Sequence, residues 1–265
     1  MENKYELISC ETKGLFRVKA LKDFANIHEG DIGGYVESEI NLSQTDDCWI
    51  YDNAKVFGNA KVYGNAEIYG NAIVYGNAKI YDNAKVYGNA KIYDNAKVYG
   101  NAKICGNKRV YDNAEIYGNA IVYGDAKVYG NAKVYDNARV YDNEVCGNAK
   151  VCGNAWVYGN AWVCGNAEVC GNAEVYGNAW VYGNAKVYSN ADYIVFKNWW
   201  SSGRHFTWTR SNNMWKVGCF YGTGEELIIK AYKDSELSGK EYKRIVNYVN
   251  SILTNNANDE SMNGN

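Results

Sequence analysis

A branched aliphatic residue recurs at every sixth position from Ile50 to Val140, sixteen units without a slip, and again from Val145 to Val187 for eight more. No other feature limits the fold as tightly. A strict six-residue period does not fit the 3.6-residue period of an α-helix, but it is a whole multiple of the two-residue period of a strand. The unit reads Val-Tyr-Gly-Asn-Ala-Lys. Its aliphatic residue and the Ala four places later are the only consistently apolar small or branched side chains, so both face inward. Tyr and Lys, on either side of the aliphatic, point outward. Gly-Asn or Asp-Asn between them tolerates positive φ and allows a corner every six residues. Three sides close an 18-residue coil, and 24 hexads make eight coils. At roughly 4.8 Å per rung the prism stands roughly 38 Å tall.

The pattern aliphatic-x-x-Asn-Ala-x resembles the hexapeptide repeat of left-handed β-helix proteins and covers more than half of the chain. The resemblance implies left-handed coiling, against the usual right-handed crossover preference. It also implies an alternative function, because proteins of that family are frequently acyltransferases with a His general base beside a coil edge and a loop extruded from the helix. Here no loop interrupts the hexads, and both histidines, His28 and His205, lie outside them. A general base must reach the attacking hydroxyl, so the sequence favours a non-catalytic protein. The second position, often Gly in those acyltransferases, is here nearly always Tyr, and outward Tyr ladders are expected.

Two places break the repeat. Lys108 occupies an inward Ala position, where an unpartnered ammonium is costly, and it is expected to snorkel out at the corner. One residue is missing before Val145, which should cut a corner short. Five of the eight cysteines, Cys105, Cys146, Cys152, Cys164 and Cys170, stand at the Tyr position. The 18-residue coil puts Cys146 over Cys164, Cys152 over Cys170 and Trp162 over Trp180. The cysteine pairs fall within disulfide reach but are expected as stacked free thiols. No metal-ligand spacing and no cofactor motif occurs, so neither a metal nor a cofactor is expected. The lysine columns, such as Lys61, Lys79 and Lys97, read as a solvated face screened by neighbours like Glu67.

Residues 1–49 read as a small N-terminal β cap with a degenerate first coil, in which Ile32 and Val36 take the two inward positions. The array spans 50–190. Beyond it, strands at 193–197, 205–210 and 214–220 precede a helix capped by Thr223 and a second capped by Ser238 through Leu253, an α+β (βββαα) domain over 191–254. Residues 255–265 read as a disordered tail. The fold class is therefore all-β dominant. The segments Gly-Gly-Tyr-Val-Glu-Ser-Glu-x-Asn-Leu-Ser from Gly33, Cys48-Trp49, and Gly-Cys-Phe-x-Gly-Thr from Gly218 resemble uncharacterised proteins of phages and prophages. That resemblance implies a viral or prophage gene and no particular activity.

A formal net charge of −2 supplies no positive field for sequence-specific nucleic acid or an anionic membrane. No 18-residue apolar run appears, and the N-terminus lacks an apolar leader segment, so a cytoplasmic location is expected. Candidate binding residues fall in two groups. Arg204, His205, Trp208, Arg210, Trp215 and Lys216 gather cationic and aromatic groups on adjacent strands, able to hold a nucleotide or other small anionic ligand. Trp156, Trp162 and Trp180 form a cluster suited to a protein partner or to self-association.

Overall fold

In a computed structural model, which describes residues 3–262, each hexad contributes one short strand, most of them ending on the aliphatic residue, as in Lys55–Val56, Lys61–Val62 and Glu67–Ile68. Strands one coil apart pair in parallel, Val56 with Val74, Val62 with Ile80 and Ile50 with Ile68. The chain therefore winds a β-solenoid of about eight turns whose three sheets hold eleven, eight and eight strands. Every repeat aliphatic, and every repeat Ala from Ala54 to Ala185, is buried, which confirms the inward assignment. Each stacked Val or Ile contributes at most about 1.5–3 kcal/mol of apolar burial.

The outward positions form ladders as well. Tyr63, Tyr81, Tyr99, Tyr117 and Tyr135 stack ring on ring with centroids 4.8–5.0 Å apart, and Phe57, Tyr75, Tyr93, Tyr111 and Tyr129 do the same on the next face. The Asn beside each turn does more than permit the corner. Its amide Nδ2 donates to Oδ1 of the Asn one coil on, as along Asn59, Asn77, Asn95 and Asn113, so each corner carries a hydrogen-bonded amide column. Like-charged columns are interrupted by carboxylates at some rungs: Glu115 bridges Lys97 and Lys133, and Glu67 pairs with Lys85 in a neighbouring column; Lys61 stacks on Lys79 without one.

At the N-terminal end, Tyr5–Ser9 and Phe16–Ala20 pair antiparallel, and Ile32–Val36 runs antiparallel to the second and parallel to Lys55–Val56. Val36, Leu42 and Ile50 thus lie over Val56, Val62 and Ile68 and form the degenerate coil. Ile32 does not face inward as expected; it is exposed. Gly33 and Gly34 take the close approach instead, where an added Cβ on Gly34 would lie 2.4 Å from Ile50 Cγ2. This edge of the solenoid presents carbonyls, and donors cover them: Tyr35 N to Ala54 O, Asn41 Nδ2 to Ala60 O and Lys4 Nζ to Cys48 O.

Lys108 does not snorkel. It is fully buried, and its Nζ has no hydrogen-bond partner. The coil gives way around it: the strand lengthens to Lys103–Gly106, and Gly106 turns at φ 99° where other repeat glycines sit near 70°. Two rungs on, Asn143 takes the inward place left by the missing residue and buries an amide with neither atom partnered. The free-thiol expectation also fails. Cys146–Cys164 and Cys152–Cys170 are disulfides, with Cα–Cα distances of 4.6 and 4.5 Å; rung spacing places both pairs within bonding reach.

After a short 3-10 turn at Asn190–Asp192, four strands rather than three form an antiparallel sheet: Tyr193–Lys197, His205–Thr209, Met214–Val217 and Phe220–Gly222. Gly218, at φ 55°, folds the expected third strand into a hairpin. Helix α1 (Gly224–Asp234) starts at Thr223, whose Oγ1 accepts from Glu226 N while Glu226 Oε2 accepts from Thr223 N, a capping box. Helix α2 (Glu236–Met262) begins before Ser238 and continues into the segment expected as a tail; residues 263–265 lie outside the described residues. The helices cover one face of the sheet around Phe206, Trp208 and Trp215.

Candidate binding site between the solenoid and the C-terminal domain

The far edge of the solenoid presents mostly amides, among them one strand-leading N–H per face. Side-chain oxygens from the following segment meet them: Asn190 Oδ1 accepts from Glu174 N at 2.8 Å, Thr207 Oγ1 from Trp180 N at 2.8 Å and Ser211 Oγ from Lys186 N at 2.7 Å. Tyr221 settles on Gly183, where an added Cβ would meet its hydroxyl at 1.9 Å, and packs edge-on to Tyr182. The C-terminal sheet therefore stands on the last coil through the face opposite its helices. Strand alternation explains which residues do what. Phe206 and Trp208 point to the helices, whereas Thr207 points to the solenoid.

This docking leaves a cleft of about 550 Å³ lined by Asn178, Trp180, Arg204, His205, Lys216 and Cys219. A second cavity of about 430 Å³ shares Asn178 and His205 and adds Tyr176, Tyr193, Ile194 and Val195. The Lys216 ammonium sits 5.1 Å over the Trp180 ring and 4.7 Å over Tyr182. Burial there pushes its pKa below the ordinary lysine value, only partly offset by Cys219. Among the described residues lining the two cavities none is a carboxylate.

Of the six candidates in the first group, Arg204, His205 and Lys216 come together here. Trp208 and Trp215 do not: each is 1% exposed in the domain core, because alternate residues of their strands face the helices. Trp208 spends its indole N–H on Asn213 Oδ1. Arg210 lines neither cavity. In the second group Trp162 and Trp180 stack at 4.8 Å, as one coil of separation requires. Trp156 stands on a different sheet, six residues from Trp162 and so one face away, and holds the Arg139 guanidinium 4.8 Å over its ring. Trp180 joins the cleft rather than an open cluster. Sequence reasoning missed Trp199, the most exposed tryptophan at 72%, although the Trp199-Trp200 pair beside a turn was a visible signal. It also placed His205 away from the array, whereas the fold brings it to the last coil. His28 lies on an exposed turn near Asp23.

Ring stacking changes what the ladders offer. Each Tyr in a column spends its faces on its neighbours, so edges and hydroxyls face solvent, and a flat ligand finds no free ring face along the regular coils.

A model of the family described as "YdcK Beta solenoid repeat" matches residues 114–130 and 149–165, on either side of the shortened hexad. The comparison with curated proteins gives no match. The matched segments and the three parallel sheets agree, and the chain is a β-solenoid repeat protein.

Proposed function

We propose that this protein is a non-catalytic scaffold of phage or prophage origin, acting in the host cytoplasm, whose rigid solenoid presents aromatic surface to a protein partner or to a second copy of itself. The observation that carries this reading is the exposure of Trp156 and Trp162, 41% and 42% on adjacent faces near the C-terminal end. Tyr141 and Tyr176 are exposed on the same side as Trp156, with Arg139 against it. Trp, Tyr and Arg dominate binding hot spots because each combines a large apolar contact with a polar handle at small entropic cost. On a solenoid these residues are held by paired strands, so little ordering remains to oppose association.

Light scattering on the full chain and quantitative capture from the host test the reading. The double variant Trp156→Ala, Trp162→Ala is expected to weaken the partner or self-contact at least about tenfold, the loss of about 1.4 kcal/mol that defines a useful hot spot, with no change in melting temperature. A monomer at high concentration that captures the same proteins with and without the two tryptophans would overturn it.

A further inference from the structure

The cleft under the C-terminal sheet gathers cations without an acid. Some lysines of the solenoid are paired with carboxylates, Lys85 with Glu67, Lys97 with Glu115 and Lys150 with Glu168. Lys216 is half-buried over two aromatic rings and forms no ion pair among the described residues, and neither does Arg204. Two cations of a chain with net charge −2 thus face one cavity that carries no acid. The desolvation of Lys216 is unfavourable unless an anion lies beside it.

The second cavity gives the anion a body. It meets the first at Asn178 and His205 and has walls of Tyr176, Tyr193, Ile194 and Val195, without a lysine or arginine. Tyr193 is fixed there, its hydroxyl donating to Glu174 O at 2.9 Å. A cationic lobe joined to an aromatic and aliphatic lobe fits a ligand with one strongly anionic group and one flat apolar part, and the two volumes lie in the usual range for small-molecule sites. An Arg fork beside a Lys point charge suits a dianionic phosphate better than a single carboxylate.

We propose that this bipartite cleft binds a small ring-bearing phosphate monoester, of nucleoside-monophosphate size, with the phosphate between Arg204 and Lys216 and the ring against Tyr176 and Tyr193. Asn178 and His205 line the junction and offer polar groups to the atoms that connect the two parts. Binding at this site does not depend on the scaffold reading, which rests on Trp156 and Trp162.

Isothermal titration of the full chain with adenosine 5′-monophosphate, uridine 5′-monophosphate, phenyl phosphate, adenosine and inorganic phosphate tests it. At least one ring-bearing monoester is expected to bind, with its affinity falling as salt rises. Adenosine and inorganic phosphate, each lacking one half, are expected to bind at least about tenfold more weakly. Arg204→Gln, at an exposed side chain, is expected to weaken the monoester at least about tenfold at unchanged melting temperature. Lys230→Gln, exposed on α1, should change nothing, and the Trp156→Ala, Trp162→Ala variant should still bind. Absence of heat from all three monoesters at millimolar concentration, or an Arg204→Gln affinity equal to that of the parent, overturns the proposal.

Discussion

Six turn positions that Gly fills elsewhere carry Asp: Asp52, Asp82, Asp94, Asp112, Asp136 and Asp142, all with φ between 51° and 58°. A side chain in that left-handed region costs about 1–2 kcal/mol. The carboxylates offset it by accepting backbone amides on a neighbouring coil, Gly70 N on Asp52, Gly100 N on Asp82 and Gly130 N on Asp112. Asp82→Ala keeps the strain and loses the bond, so it is expected to destabilise by about 1–3 kcal/mol, while Asp82→Gly stays near neutral; denaturant unfolding of both variants checks the difference. Lys108 is the reverse case, a liability the fold tolerates. Lys108→Ala restores the repeat and removes an unpartnered buried ammonium, for an expected gain of about 1–3 kcal/mol. Burial holds the folded pKa of Lys108 below its ordinary 10.5, so the unfolded chain binds the extra proton. The penalty is complete below the folded pKa and fades as pH rises towards 10.5. The advantage of Lys108→Ala should shrink over that alkaline window. Lys108 was legible as an anomaly, but its direction was not, because snorkelling needs a path outward and the corner instead closes over it.

Strands were the most legible elements, since one inward aliphatic every six residues fixes both their position and their register. Their exact partners for charge and sulfur were less so. Coil length predicted that Cys146 meets Cys164 and Cys152 meets Cys170, yet spacing says nothing about oxidation state, and the thiol expectation came from general residue usage. Alkylation of the unfolded chain without reductant is expected to label four of the eight cysteines, Cys10, Cys48, Cys105 and Cys219. Each disulfide closes an 18-residue span, and reduction should lower the stability of the C-terminal coils by about 2–4 kcal/mol. Labelling of all eight would refute the pairing. In the C-terminal domain the Thr223 cap and the strand starts followed from local chemistry. The fourth strand did not, because the turn at Gly218 sits inside a run whose apolar pattern reads as continuous. Nor could periodicity show that Thr207 faces the solenoid while Trp208 and Trp215 disappear into the core; that depends on which face of the sheet the helices choose.

A solenoid has two unlike ends, and this polarity accounts for the whole arrangement. Outside the strand-to-strand ladders, the backbone bonds between coils run mostly one way, each coil donating to the carbonyls of the coil after it, as in Lys61 N to Ala78 O and Lys79 N to Ala96 O. The first coil is therefore left mostly with carbonyls and the last mostly with amides. The N-terminal segment answers with donors such as Asn41 Nδ2 and Lys4 Nζ, and the C-terminal segment answers with acceptors, Asn190, Thr207 and Ser211. The caps are chemically matched to their ends and cannot be exchanged. An uncapped amide row is a template for another strand, and the free carbonyls of another solenoid's first coil are its natural complement. A chain ended after residue 190 loses Thr207 and Ser211 but keeps its N-terminal cap, so head-to-tail growth is blocked, and two amide rows, donor against donor, cannot pair with each other. Such a truncation is expected to stay unassociated through that edge but to show faster amide exchange at Trp180 and Lys186. Light scattering and hydrogen exchange on the two chains decide it. If the truncated chain is as protected at those amides as the full one, the C-terminal domain is an appended module rather than the cap that its two hydrogen bonds describe.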